Sequence, residues 1–170
     1  MFTRRSFLAA ATGVCAARVV CGAPESRKKI AFLGTVVHLH SHAQHFLDRY
    51  TLGYTWRGAW QSPRFDVAAV YIDQFPAGDL ARERIRRHAL RRFPSVAEAL
   101  TLGGSKLAVD GVVLIAEHGD YPTNEKGQKL YPRYAWFKEV VKVFEASGRA
   151  AAVFSDKHLS TTWKQCAEMV

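Results

Sequence analysis

Short apolar runs alternate along this chain with segments whose apolar residues recur at helical spacing. Lys29–Val37, Phe65–Ile72, Val109–Ala116 and Ala150–Phe154 have the length and composition of strands, and Phe93 opens a shorter one. The helical segments carry their own start and stop signals. Ser41 is placed to cap a helix through about Tyr50, Asp79 a helix over Leu80–Leu90, and Ser95 a helix over Val96–Leu102 that stops at Gly103-Gly104. Pro132 precedes a helix over Arg133–Ala146, ended by Ser147-Gly148, and Thr161–Val170 begins a last one. Thr51–Arg64, with Gly53, Tyr54, Trp56, Gly58, Trp60 and Pro63, reads as an excursion over the surface.

Strands that alternate with helices predict an α/β fold: a doubly wound, Rossmann-like parallel sheet in three αβα layers, forming a single domain. The central run at Val109–Ala116 is apolar enough to be buried on both faces. With strand order 3-2-1-4-5, the first, fourth and fifth strands are neighbours. Each runs directly into ionisable residues: His38, His40 and His42; Glu117, His118 and Asp120; Asp156, Lys157 and His158. Ligands of open parallel sheets bind in the crevice outside the carboxyl ends of the strands, so these three groups are expected to meet in one crevice.

The first 23 residues are set apart from the fold. Thr3-Arg4-Arg5-Ser6-Phe7-Leu8 has the twin-arginine pattern, an alanine-rich run follows, and Cys21-Gly22-Ala23 offers small residues for cleavage before Pro24. The expectation is export by the twin-arginine machinery to a periplasmic or other extracytoplasmic location, with no stable membrane span, because the apolar run is short and interrupted by Arg18. Without Arg4, Arg5 and Arg18 the net charge falls from +9 to +6 (9 − 3). Cys166 is then the one remaining thiol, which excludes an internal disulfide and a cysteine-based zinc site. Arg82, Arg84, Arg86, Arg87, Arg91 and Arg92 carry much of the positive charge. No aromatic residue is interleaved between Arg82 and Arg92, so this basic helix is expected to be a solvated face and not a nucleic-acid surface.

Several stretches resemble the N-terminal nucleotide-binding domain of the Gfo/Idh/MocA oxidoreductases. Val153-Phe154-Ser155-Asp156-Lys157-His158 resembles the family's Glu-Lys-Pro motif, Val109-Asp110-Gly111-Val112-Val113-Leu114-Ile115 its fourth strand, and Ser95-Val96-Ala97-Glu98-Ala99-Leu100 the helix before that strand. The resemblance spans about Lys28 to Val170. It implies an NAD- or NADP-dependent oxidoreductase domain acting on a sugar or polyol-like small molecule. Lys157 would be the catalytic residue, flanked by Asp156 and His158, and Gly34, Ser41, Asp73, Glu117 and His118 would lie against the cofactor. An amine in a partly desolvated crevice is suited to proton transfer or to orienting a substrate hydroxyl. The family also has a second α/β domain after this point, so the domain at 24–170 is expected to be truncated before it.

The chain departs from the family at the first turn. Gly-x-Gly-x-x-Gly is replaced by Gly34-Thr35-Val36-Val37-His38-Leu39, which keeps the first glycine alone, and Asp73 follows Gly34 by 39 residues (73 − 34). The domain is therefore expected to be degenerate in its cofactor use. A competing class is a hydrolase-like module binding a divalent metal, because His38 and His40 form a His-x-His that Asp120, Glu117, His118 or His158 could complete. A third is a non-catalytic ligand-sensing domain, with Tyr121, Tyr131, Tyr134 and Trp136 near the carboxylates for carbohydrate recognition. Tyr134 and Phe137 are expected instead to pack their helix on the sheet.

Overall fold

A computed structural model describes residues 26–170; the export signal read over residues 1–23 lies outside the described residues. Strands β1 (Lys28–Gly34), β4 (Phe65–Ile72), β5 (Gly111–Ile115) and β6 (Ala152–Ser155) form one parallel sheet in the order β4-β1-β5-β6. The central pair is β1 and β5, whose residues from Ile30 to Leu33 and from Val112 to Ile115 are buried. Alternate side chains point to opposite faces of a strand. Phe32, Val70, Val113 and Ile115 accordingly meet helices α1 (His42–Thr51) and α2 (Ala81–Arg87) on one face, through Ala43, Leu47 and Ala81. On the other face Leu33, Ala69, Val112 and Leu114 meet α3 (Val96–Thr101) and α4 (Arg133–Ser147), through Ala99, Leu100, Trp136 and Val140. Full burial of a side chain such as Phe32 contributes about 1.5–3 kcal/mol. A last short helix, α5 (Trp163–Glu168), follows β6.

The helix starts follow their cap residues. Ser41 Oγ accepts the Gln44 N–H at 3.1 Å, Ser95 Oγ that of Glu98 at 3.2 Å, and Asp79 Oδ2 that of Arg82 at 3.1 Å. Gly148 ends α4 with a left-handed backbone, the conformation glycine adopts without a Cβ penalty. The basic helix α2 is laced with acids: Arg84 pairs with Asp48 and Glu83, and Arg87 with Glu83.

One expectation needs correction. The strand expected at Phe93 is reduced to a single parallel bridge between Val70 and Arg92, because Pro94 has no N–H to continue the ladder and Ser95 already caps α3. The Trp-rich stretch does run over the surface, and within it Tyr54–Trp56 (β2) and Ala59–Gln61 (β3) pair as an antiparallel hairpin. Arg57 (φ 49°) and Gly58 (φ 76°) make its two-residue turn, and positive φ at both positions matches the twist of the flanking strands. In α4 the buried face is Arg133, Trp136, Val140 and Val143, so Trp136 packs the helix while Tyr134 and Phe137 lie half-buried beside it. No helix among the described residues is long and apolar enough to cross a membrane.

Candidate functional site

Strand order reverses between β1 and β5, and the segments leaving these strands part there to opposite faces of the sheet. After β1 the chain turns through Thr35–Ser41 into α1. His40 sits in the left-handed region (φ 65°), with its N–H donated to Gln44 Oε1 at 2.6 Å, so the turn is closed by the side chains of its own helix. That closure makes His42 the first residue of α1.

After β5, Glu117 is 7 % exposed, and its Oε1 accepts the Ala43 N–H at 3.1 Å. A carboxylate at this position pairs with an orphan amide and with the positive end of the α1 dipole. Next to it the His118 N–H donates to Thr35 Oγ1 at 3.3 Å, and the His38 and His118 rings lie 4.1 Å apart. Burial pulls the His118 imidazole below its ordinary value, and this outweighs the neighbouring Glu117 carboxylate that favours its charged form.

After β6, the Asp156 N–H extends the strand pairing by donating to Leu114 O at 3.0 Å, and Asp156 is 9 % exposed. Lys157 then takes a left-handed backbone (φ 68°), which non-glycine residues seldom adopt and which clusters at functional positions. Its Nζ lies 2.9 Å from both His42 ring nitrogens, 3.3 Å from Glu117 Oε2 and 3.8 Å from Asp156 Oδ2. His42 Nδ1 lies 3.0 Å from Asp156 Oδ2. With a proton on Nδ1 donated to Asp156, Nε2 is the one ring nitrogen able to accept from the ammonium. Arg133 is 3 % exposed and donates through Nη1 to His158 Nε2 at 3.0 Å, while its Nε has no partner among the described residues. Burial lowers the Arg133 guanidinium, and burial together with Arg133 lowers His158. Two carboxylates, one ammonium and one guanidinium thus compensate one another across the crevice.

The three strand ends do meet, but with a different division of roles. Lys157, Asp156 and Glu117 come together with His42, whereas His158 faces Arg133. Ser41 acts as a helix cap. Asp120 holds Gln74 through its backbone, at 2.8 and 3.0 Å. His38 faces His118 and His40 is exposed. The donor set that could hold a metal ion is therefore His42, Glu117 and Asp156, whose ligand atoms lie within 4.8 Å of one another, and not His38, His40 and Asp120. Lys157 Nζ sits among those three. Arg133 was not foreseen; its signal is a basic residue in the first turn of a helix, against the helix dipole.

A dinucleotide finds little accommodation at the first turn. The α1 amide that would face a pyrophosphate is already taken by Glu117, and a Cβ on Gly34 would meet Ile72 Cδ1 at 3.0 Å and Phe32 Cε1 at 3.1 Å, so this glycine serves strand packing. Asp73, expected against the cofactor, accepts from Tyr71 at 2.8 Å and from Tyr121 at 2.5 Å. The residues present therefore do not fit a dinucleotide bound in the manner of the glycine-rich turn. Neither family models, nor curated proteins, nor solved structures match this chain.

Proposed function

We propose that this chain is an exported Gfo/Idh/MocA-like domain that retains the substrate side of an oxidoreductase site without its pyrophosphate cradle. In this reading it binds a small sugar or polyol at the carboxyl edge of the sheet. The observation that carries the reading is Lys157, whose strained backbone directs an ammonium between His42 and two buried carboxylates. The Lys157 ammonium, held by Glu117 and Asp156, would donate a hydrogen bond to a substrate hydroxyl, and it would take a proton from that hydroxyl only after passing one of its own to His42 Nε2. Redox turnover would require a hydride acceptor held in some other way than at the α1 N-terminus.

The test is calorimetric titration of the full chain with myo-inositol, glucose and gluconate, beside fluorescence titration with NADH, for the wild type and Lys157→Met. Binding of a polyol that Lys157→Met abolishes supports the reading. Polyol binding unaffected by the substitution overturns the role of Lys157, and micromolar NADH binding overturns the loss of the cradle.

A second reading, divalent-metal binding, is favoured by the convergence of His42, Glu117 and Asp156. It predicts that zinc or manganese binds Lys157→Met more tightly than the wild type, because the ammonium and the ion compete for the same oxygens. Equal metal affinity of the two proteins would count against it.

A further inference from the structure

A cavity of about 580 Å³ lies at the opposite edge of the sheet from Lys157, between α1, the hairpin and the start of β4. Its size is within the range of small-molecule sites. Three elements build it. Phe46, Arg49 and Tyr50 come from α1, Tyr54, Trp56 and Gln61 from the hairpin, and Arg64 and Phe65 from the entry to β4.

The hairpin register explains the lining. Tyr54 pairs with Gln61 and Trp56 with Ala59, so Tyr54, Trp56 and Gln61 share one face, while Trp60, paired with Thr55, points to the other. On that outer face Trp60 packs over Gly53, where an added Cβ would stand 3.1 Å from the indole. The inner rings remain bare: Trp56 is 60 % exposed and Tyr54 44 %. The tight Arg57-Gly58 turn and the antiparallel pairing set the face on which both rings stand.

Charge distinguishes this cavity from an ordinary apolar depression. Arg49 and Arg64 line it, no carboxylate lines it, and neither arginine has an acidic partner among the described residues. Arg49 reaches instead toward the Tyr54 ring, 6.0 Å from its centroid, and Arg57 toward Trp56 at 5.8 Å. Arg27, Arg82, Arg84 and Arg87, by contrast, are each paired with a carboxylate.

We propose that this cavity binds a carboxylated saccharide. A pyranose ring presents an apolar C–H face that lies flat on an indole or phenol, a uronate carboxylate accepts the two parallel N–H donors of a guanidinium, and Gln61 and Ser62 offer amide and hydroxyl groups to the remaining sugar hydroxyls. A single-stranded nucleic acid would use the same two kinds of group but needs a track of cations along its backbone. Here two arginines serve one concavity. The site is separate from the Lys157 crevice, and its assignment does not rest on that reading.

The experiment is a tryptophan-fluorescence titration of the full chain with trigalacturonate, with maltotriose as the neutral counterpart and a short oligothymidylate as the nucleic-acid probe. Trigalacturonate should quench the fluorescence saturably, and Trp56→Ala should weaken its binding, read by calorimetry, about tenfold or more, as expected for the loss of one stacked ring. Arg64→Gln should weaken trigalacturonate similarly while leaving maltotriose unchanged. Trp163→Ala, which removes an even barer ring outside the cavity, should bind as the wild type does. Circular dichroism establishes that each variant is folded. No saturable binding of trigalacturonate, equal binding by Trp56→Ala, or tighter binding of the oligothymidylate each overturn the assignment.

Discussion

Replacing Glu117 with alanine tests whether a side chain has taken the anion position at the start of α1. The substitution orphans the Ala43 N–H at a fully buried residue, which costs about 1–3 kcal/mol. It also removes the closer carboxylate from Lys157 Nζ, 3.3 Å away. That side chain is one-third exposed, so water recovers much of the lost attraction and this part is worth about 1 kcal/mol. Together they predict a loss of about 2–4 kcal/mol, or a fall in Tm of roughly 5–15 °C for a domain of this size. Urea denaturation followed by circular dichroism measures the first and calorimetry the second. Glu117→Gln keeps a carbonyl acceptor for Ala43 and should cost about half as much. In a double-mutant cycle with Lys157→Met the two positions should couple by about 1 kcal/mol. Inorganic phosphate should raise the Tm of Glu117→Ala more than that of the wild type, because the vacated amide can then receive an anion. A Glu117→Ala protein within 0.5 kcal/mol of wild type, with no coupling to Lys157 and the same response to phosphate, would refute the reasoning.

Three further outcomes follow from the same geometry. Because Lys157 has φ 68°, Lys157→Gly should be more stable to urea than Lys157→Ala by about 1 kcal/mol, the reverse of the usual order; equal stabilities would remove the argument from strain. Burial first, and then the bond to Asp73, pushes the Tyr71 hydroxyl up to about 12 and raises Tyr121 as well, so Asp73→Asn should shift phenolate absorbance to lower pH; an unchanged alkaline titration would dissociate Asp73 from both rings. His118 and His158 are lowered in the folded protein, so they bind fewer protons there than in the unfolded chain, and their contribution is complete above the unfolded value of about 6.5 and is lost as the pH falls through their folded values. The double substitution His118→Gln, His158→Gln should flatten stability between pH 7 and pH 5, and an unaltered slope would show that other groups set it.

Strands β1 and β5 were legible because an apolar run with no helical period, bounded by turn residues, has few other solutions, and the helices because Ser41, Asp79 and Ser95 bond the amides their positions imply. The hairpin was not legible. Its turn is Arg57-Gly58 instead of the familiar Asn-Gly, and with tryptophan on both faces the alternation of apolar and polar residues is lost. In the site, convergence of three strand ends follows from topology, but the choice among three histidines does not. His-x-His spacing favours His38 and His40 if the strand continues. The strand instead ends at Gly34, before either histidine, and the turn that follows starts α1 at His42, fixed by Gln44 and Ser41 and not by the histidines. Asp73 follows β4 directly and bonds Tyr71 two residues before it, but its second partner, Tyr121, comes from the loop after β5, beyond the reach of local pattern.

The bridge at Val70 and Arg92 also determines how the sheet meets other chains. Exposed strand edges are templates for uncontrolled pairing, and proteins blunt them with proline and charge. Along β4 the outer edge meets one bridged residue and then Arg91, Arg92 and Pro94, with the Arg92 guanidinium drawn over Phe75 at 4.5 Å. A foreign strand arriving there finds guanidinium groups and a missing donor. Among the described residues the β6 edge has no such guard: Ala152–Ser155 pairs with β5 alone, and Phe154 is held against Phe46 with their rings 5.1 Å apart. The two edges of the described sheet thus differ, charge and proline standing beside β4 and not beside β6, where an added strand would lie on the side that carries Lys157.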